Sequence, residues 1–289
     1  LNDLAIVASG GNENTNTEIT YPAGYRGVLG VGEVNASDKL TQTSLGEQVD
    51  IMAQGLGNYT TALINDSYQA VGTGTSFASP VVAGAVALAR GKYPELDALQ
   101  TLEFVRQFTV DITEKNFNVR KIIPGRLDIS NMMNTDPFSM PAIRPLEVHF
   151  KNEDGIVPDR FNPGDKVILD IKVKNYLGAA ENVTFTLSAA YDFSNIIQII
   201  DESVSFTKVE READFYLEGF SFSFSDYYED VILFRIDIEA QNGYKDFFLI
   251  SFTPTTEMTT FENDLLKFSV SDRGTFGFRV KEDVAGANE

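Results

Sequence analysis

The chain has 289 residues, 43% of them hydrophobic, and a formal net charge of −19 at pH 7. This length allows two domains with real cores, and the acidic balance argues against nucleic acid or anionic membrane surfaces as partners, since phosphate binding needs clustered lysine and arginine. Cysteine is absent, which excludes disulfides and thiolate metal sites, and the longest apolar run, Val81 to Ala89, is about half of what a membrane span requires.

In chain order, Leu4-Ala5-Ile6-Val7-Ala8 is a short apolar run suited to a buried parallel strand. It ends at Ser9-Gly10-Gly11-Asn12-Glu13. On its own, Gly-Gly-Asn fits a turn after a strand. The loop from Asn12 to Glu18 is rich in oxygen ligands, and such loops can hold Ca²⁺, but its spacing is not diagnostic of a site. Tyr21-Pro22-Ala23-Gly24-Tyr25 leads into a second buried strand over Gly27 to Val34, and Val49 to Ala53 reads as a third.

The run Gly74-Thr75-Ser76-Phe77-Ala78-Ser79-Pro80 opens into Val81-Val82-Ala83-Gly84-Ala85-Val86-Ala87-Leu88. It predicts a serine on the first turn of a buried helix, with Thr75 as N-cap and Pro80 at the edge of that turn. A serine hydroxyl there has the free N–H groups and partial positive charge of a helix start beside it, which favour an oxyanion. Next, Asp97-x-x-Gln100 predicts a capping box, and Leu99, Leu102, Phe104, Val105 and Phe108 recur at roughly helical spacing.

The string Gly-Thr-Ser-x-Ala-Ser-Pro followed by Val-Ala-Gly resembles the nucleophile segment of the subtilases, the subtilisin-like serine proteases. Val81 replaces the histidine common after the proline, a position outside the chemistry. The resemblance implies that Ser76 is the nucleophile and that Asn12, at a similar spacing to the family's, donates its side-chain amide to the oxyanion. It further implies that Ser9, Gly10 and Gly11 line the floor of the substrate pocket, with Glu13 near its mouth. Gln54 stands where the family has proline, and Gly125-Arg126-Leu127-Asp128 resembles the family's closing turn. The resemblance covers about residues 4–133.

A serine protease also needs a base and a carboxylate to orient it. In subtilases both precede the oxyanion asparagine, yet the residues before Asn12 hold no histidine. The one histidine, His149, lies in Leu146-Glu147-Val148-His149-Phe150 and reads as a half-exposed strand residue of another domain. The expectation is therefore a fragment: the C-terminal half of a catalytic domain, its Asp and His in a missing upstream segment, inactive in isolation. The cut edge of its parallel sheet then needs a cover, which makes the missing N-terminal half a partner.

Residues 134–145 hold three prolines and read as a linker. Beyond them the apolar period changes to two: Val167 to Asn175, Val183 to Leu187, Phe220 to Phe224, Val231 to Ile238 and Phe247 to Phe252 predict strands. Residues 146–256 are thus expected to form an antiparallel β-sandwich, which resembles the immunoglobulin-like accessory domains of secreted bacterial hydrolases. Residues 257–289 are a last hairpin or the start of a further β domain.

The fold expected is α/β, an incomplete subtilisin-like parallel sheet with flanking helices, followed by the all-β sandwich. The function implied by resemblance is a serine endopeptidase acting on polypeptides, secreted or at the cell surface, requiring no cofactor beyond a structural Ca²⁺ where one is held. Two other readings stand beside it. One is a sedolisin-type serine-carboxyl peptidase, whose oxyanion donor is an aspartate, against which Asn12 argues. The other is a non-catalytic binding or scaffold protein on a subtilase-like fold.

Overall fold

The computed structural model describes residues 3–61, 67–70, 72–158, 160–191, 196–226, 231–254, 258–262, 266–271 and 276–280. The first sheet takes β1 (Ile6–Ser9), β2 (Val28–Val34) and β3 (Ile51–Gln54). A ribbon of β4 (Tyr59–Thr61) and β5 (Tyr68–Ala70) precedes helices α1 (Thr75–Lys92) and α2 (Ala98–Gln107). Then come β6 (Thr109–Val110), β7 (Arg126–Leu127) and the short helix α3 (Ile129–Met132).

The sheet order is β1-β2-β3-β7-β6. The pairs β1–β2, β2–β3 and β3–β7 are parallel, and β6 runs antiparallel to β7. After its first residue β2 is buried throughout, as a parallel strand covered on both faces must be. Ala78, Val82, Ala85, Val86 and Ala89 of α1 pack with Leu29, Val31 and Ile51 of the sheet. The small residues let the helix axis approach closely. At Gly30 a Cβ would lie 1.8 Å from the Gln48 carbonyl oxygen, so only glycine fits. Among the described residues β1 is an edge strand, with its own Ile6 and the preceding Leu4 exposed.

The second half is made of β8 (Ile143–Lys151), β9 (Lys166–Asn175), β10 (Ala180–Ala189), β11 (Ile197–Asp201) and β12 (Ser203–Val209). It continues with β13 (Asp214–Phe224), β14 (Ile232–Glu239) and β15 (Lys245–Phe252). These strands form two four-stranded antiparallel sheets, β12-β10-β14-β15 and β11-β13-β9-β8. Inner-face residues of both enter one core, among them Val167, Leu169, Ile171, Phe185, Phe222, Phe234 and Phe252. The strict buried–intermediate alternation along β9 is the period-two pattern of its sequence.

One sequence expectation changes here. The segment read as a linker is packed: Ala142 is buried, Phe138 and Met140 pack on the first half's core, and β8 starts at Ile143. Its prolines sit in ordered backbone: Pro137 opens a 3₁₀ turn and Pro145 lies within β8. Residues 258–280 give β16 (Met258–Glu262), β17 (Leu266–Ser271) and β18 (Phe276–Val280), a separate three-stranded antiparallel sheet. Leu265, Gly274, Thr275 and the polar tail lie outside the described residues.

Candidate active site

Helix α1 begins at Thr75, so Ser76 is its second residue, exposed on the first turn. The N-cap is Gly74, not Thr75 as the sequence suggested. The reason is backbone geometry: Gly74 has φ +150, a conformation L side chains rarely adopt, and glycine enters it freely. Pro80 also differs from expectation, lying inside the helix instead of at the edge of its first turn. Its missing N–H is the one that would bond the Ser76 carbonyl four residues back, yet the helix continues to Lys92 on its packing against the sheet.

The loop after β1 carries Asn12 to this helix start. The Asn12 Oδ1 atom accepts from the Thr75 backbone N–H at 2.9 Å and from the Thr75 hydroxyl at 3.1 Å. A backbone N–H can only donate, so it fixes the amide with oxygen toward Thr75. The Nδ2 group is then a neutral donor with no acceptor among the described residues. The Phe77 N–H is closed onto the Gly74 carbonyl at 2.9 Å, and Thr75 is engaged by Asn12. This leaves the Ser76 N–H without a partner among the described residues. No acidic side chain sits in the first turn to neutralise the helix start. The turn is held from a third side by Asn58, whose Nδ2 bridges the carbonyls of Gln54 at 2.9 Å and Phe77 at 3.1 Å.

The other predicted positions lie on the same loop. Ser9 ends β1, and the buried Gly10 donates its N–H to the Val31 carbonyl at 2.9 Å. Gly11 has φ +103, and a Cβ there would lie 2.6 Å from a Glu13 carboxylate oxygen. Glu13 is exposed but tied to Ser44, whose hydroxyl donates to Oε2 at 3.2 Å. His149 sits on β8 of the second half, half exposed, with Nε2 3.6 Å from Glu147 Oε2, whereas Ser76 is on helix α1 of the first half. Among the described residues no group of three histidine, cysteine or acidic side chains is arranged to hold a metal ion, and no helix is long and apolar enough to cross a membrane.

One buried group escaped the sequence reading. Glu33 lies in β2 with no exposed surface, and Thr73 donates its hydroxyl to Oε1 at 2.5 Å. A lone charge inside an otherwise apolar strand was the available signal. Asn58 carries no such mark in the sequence.

Residues 2–124 match the model of the subtilase family. The chain is similar to subtilisin DY of Bacillus licheniformis, 40% identical over 101 residues, which cover 34% of this chain and 36% of the relative. It is similar to the halolysin-like extracellular serine protease Nep of Natrialba magadii, 31% identical over 137 residues, 46% of this chain and 24% of the relative. A solved structure of the prenylagaramide maturation protease PagA aligns at a TM-score of 0.40 and 22% identity, covering 45% of this chain and 50% of that one. The chain thus spans about a third or less of the length of these two curated relatives.

Proposed function

We propose that this chain carries the nucleophile and oxyanion elements of a subtilisin-like serine endopeptidase. Ser76 Oγ attacks the carbonyl carbon of a peptide bond and gives up its proton to a base. The tetrahedral oxyanion is received by the Asn12 Nδ2 group and the Ser76 N–H, neither of which has an acceptor among the described residues. The intermediate then collapses to an acyl-enzyme as the amine leaves with the proton, and water completes hydrolysis. The base and its carboxylate are supplied from outside these residues, by the upstream half of the catalytic domain docking on the β1 edge. Ser9, Gly10 and Gly11 shape the substrate pocket floor, with Glu13 at its mouth. The substrate is a polypeptide, the protein is secreted or at the cell surface, and any Ca²⁺ held is structural.

The observation that supports this most is the bond from the Thr75 N–H to Asn12 Oδ1, because it presets a neutral donor beside a serine on a helix start. The test is labelling by a fluorophosphonate probe. The full-length protein should be labelled at Ser76 and hydrolyse peptides, with both lost in Ser76→Ala. The 289-residue chain alone should react poorly, having no base. A full-length protein that folds but neither labels nor cleaves would instead support the scaffold reading.

A further inference from the structure

Building on the serine-peptidase reading, we propose that Glu33 is a positioning residue for the nucleophile turn and acts through the Thr73 hydroxyl. Its side chain has no exposed surface. One oxygen receives the Thr73 hydroxyl at 2.5 Å, and the other, Oε2, is buried with no partner among the described residues. A carboxyl group held by one hydroxyl donor is expensive to bury. An apolar residue would complete the strand at no such cost, so stability does not account for a glutamate there. Its position does. A Cβ placed on Gly55 would meet Glu33 Cγ at 2.5 Å and the Gly74 carbonyl oxygen at 2.7 Å. The glutamate stem and the N-cap carbonyl of the catalytic helix thus converge on a gap that only a glycine leaves open.

Thr73 directly precedes Gly74, whose backbone has the widest freedom of any residue. The turn is pinned on either side of this hinge: Glu33 holds Thr73, Asn12 holds Thr75, and Asn58 holds Phe77. At 2.5 Å the Thr73–Glu33 bond is the shortest of the three. Without it, Gly74 is free to rotate and carry the Ser76 Oγ and N–H away from the Asn12 amide. Such a shift affects the developing oxyanion more than the bound substrate, so its mark is a fall in kcat with KM retained.

The experiment uses Thr73→Val and Thr73→Ser, because Thr73 itself is exposed, and the serine variant keeps the hydroxyl that Glu33 accepts. In the full-length protein, assayed well below its melting temperature, Thr73→Val should lower kcat about tenfold with KM nearly unchanged, and Thr73→Ser should restore it to within about twofold. In parallel, hydrogen exchange on the 289-residue chain should quicken at the Thr75 and Phe77 amides in Thr73→Val and not in Thr73→Ser. A Thr73→Val enzyme with normal kcat overturns the proposal, even if its melting temperature falls, since that outcome marks a purely structural bond. A rise in KM alone overturns it too. If the unmodified protein cleaves no peptide, the peptidase reading fails, and the exchange rates alone decide whether Glu33 positions the turn.

Discussion

Asn12 is exposed, yet its amide orientation is not free, because a backbone N–H dictates which atom faces Thr75. On the mechanism proposed above, Asn12→Ala in the full-length protein removes one oxyanion donor and leaves Ser76 and its base in place. The expected loss is about 10²–10³-fold in kcat with little change in KM, the range seen when subtilisin loses its corresponding donor. Steady-state kinetics on a peptide ester or amide measure it, and a near-normal kcat would reduce Asn12 to a turn residue. Ser76 stood out in the sequence as a serine on a predicted helix start, and Asn12 only through its register with that segment in the family resemblance. Glu33 and Asn58 did not stand out, since their roles depend on residues far away in the chain.

Helix α2 shows what local sequence secures. Asp97 Oδ1 accepts from the Gln100 N–H at 2.8 Å, and Gln100 Oε1 accepts from the Asp97 N–H at 3.1 Å, the reciprocal capping box its spacing predicted. Asp97→Ala should cost about 1 kcal/mol, read as a lower urea midpoint with an unchanged slope. An unchanged midpoint would mean that tertiary packing alone sets the helix start. Helix α1 departs from its local signals for the opposite reason. Its start is set by the Gly74 backbone and by Asn12 from another element, and its proline is overridden by burial of Ala78, Val82, Ala85 and Ala89 against the sheet.

At the scale of the molecule, the two halves share buried ionic and apolar contacts. Arg106 of α2 makes paired hydrogen bonds to Asp246 of β15, at 2.8 and 2.7 Å, and a third to Glu103 at 2.6 Å. Gln107 and Tyr244 also donate to Asp246, at 2.9 and 3.1 Å. Tyr176 and Leu177 enter the core of the first half, and Leu233 and Leu249 pack with Val34, Leu45 and Ile112. Arg106→Ala should cost about 3–5 kcal/mol, because it strands a buried carboxylate, whereas Arg106→Leu with Asp246→Leu should recover most of the loss. Equilibrium denaturation distinguishes the two, and equal losses would place the interface energy elsewhere.

The same pair gives a pH dependence. Burial acts to raise the Asp246 carboxyl, but the Arg106 charge and its hydrogen bonds outweigh it, so the group ionises below the usual carboxylate range. A depressed folded-state value means that its stabilisation is fully present above the unfolded value of about 4 and is lost as pH falls through the folded one. Wild type should therefore lose more stability on acidification below about pH 4 than the double leucine variant does. Parallel acid melts of the two proteins would remove Asp246 as the cause.

By itself the sequence determined the elements whose signals are local. These are the apolar runs of β1, β2 and β3, the capped start of α2, and the alternating strands of the second half. Each rests on periodicity or on a side chain bonding its own neighbourhood. Tertiary structure alone decided the rest. It seated Glu33 against Thr73 and turned Asn12 onto Thr75, and it made the proline-bearing segment into packed backbone and joined Arg106 to Asp246. Those contacts link residues dozens to more than a hundred positions apart, and their energy depends on burial, which exists only once the sheets and helices have closed on one another.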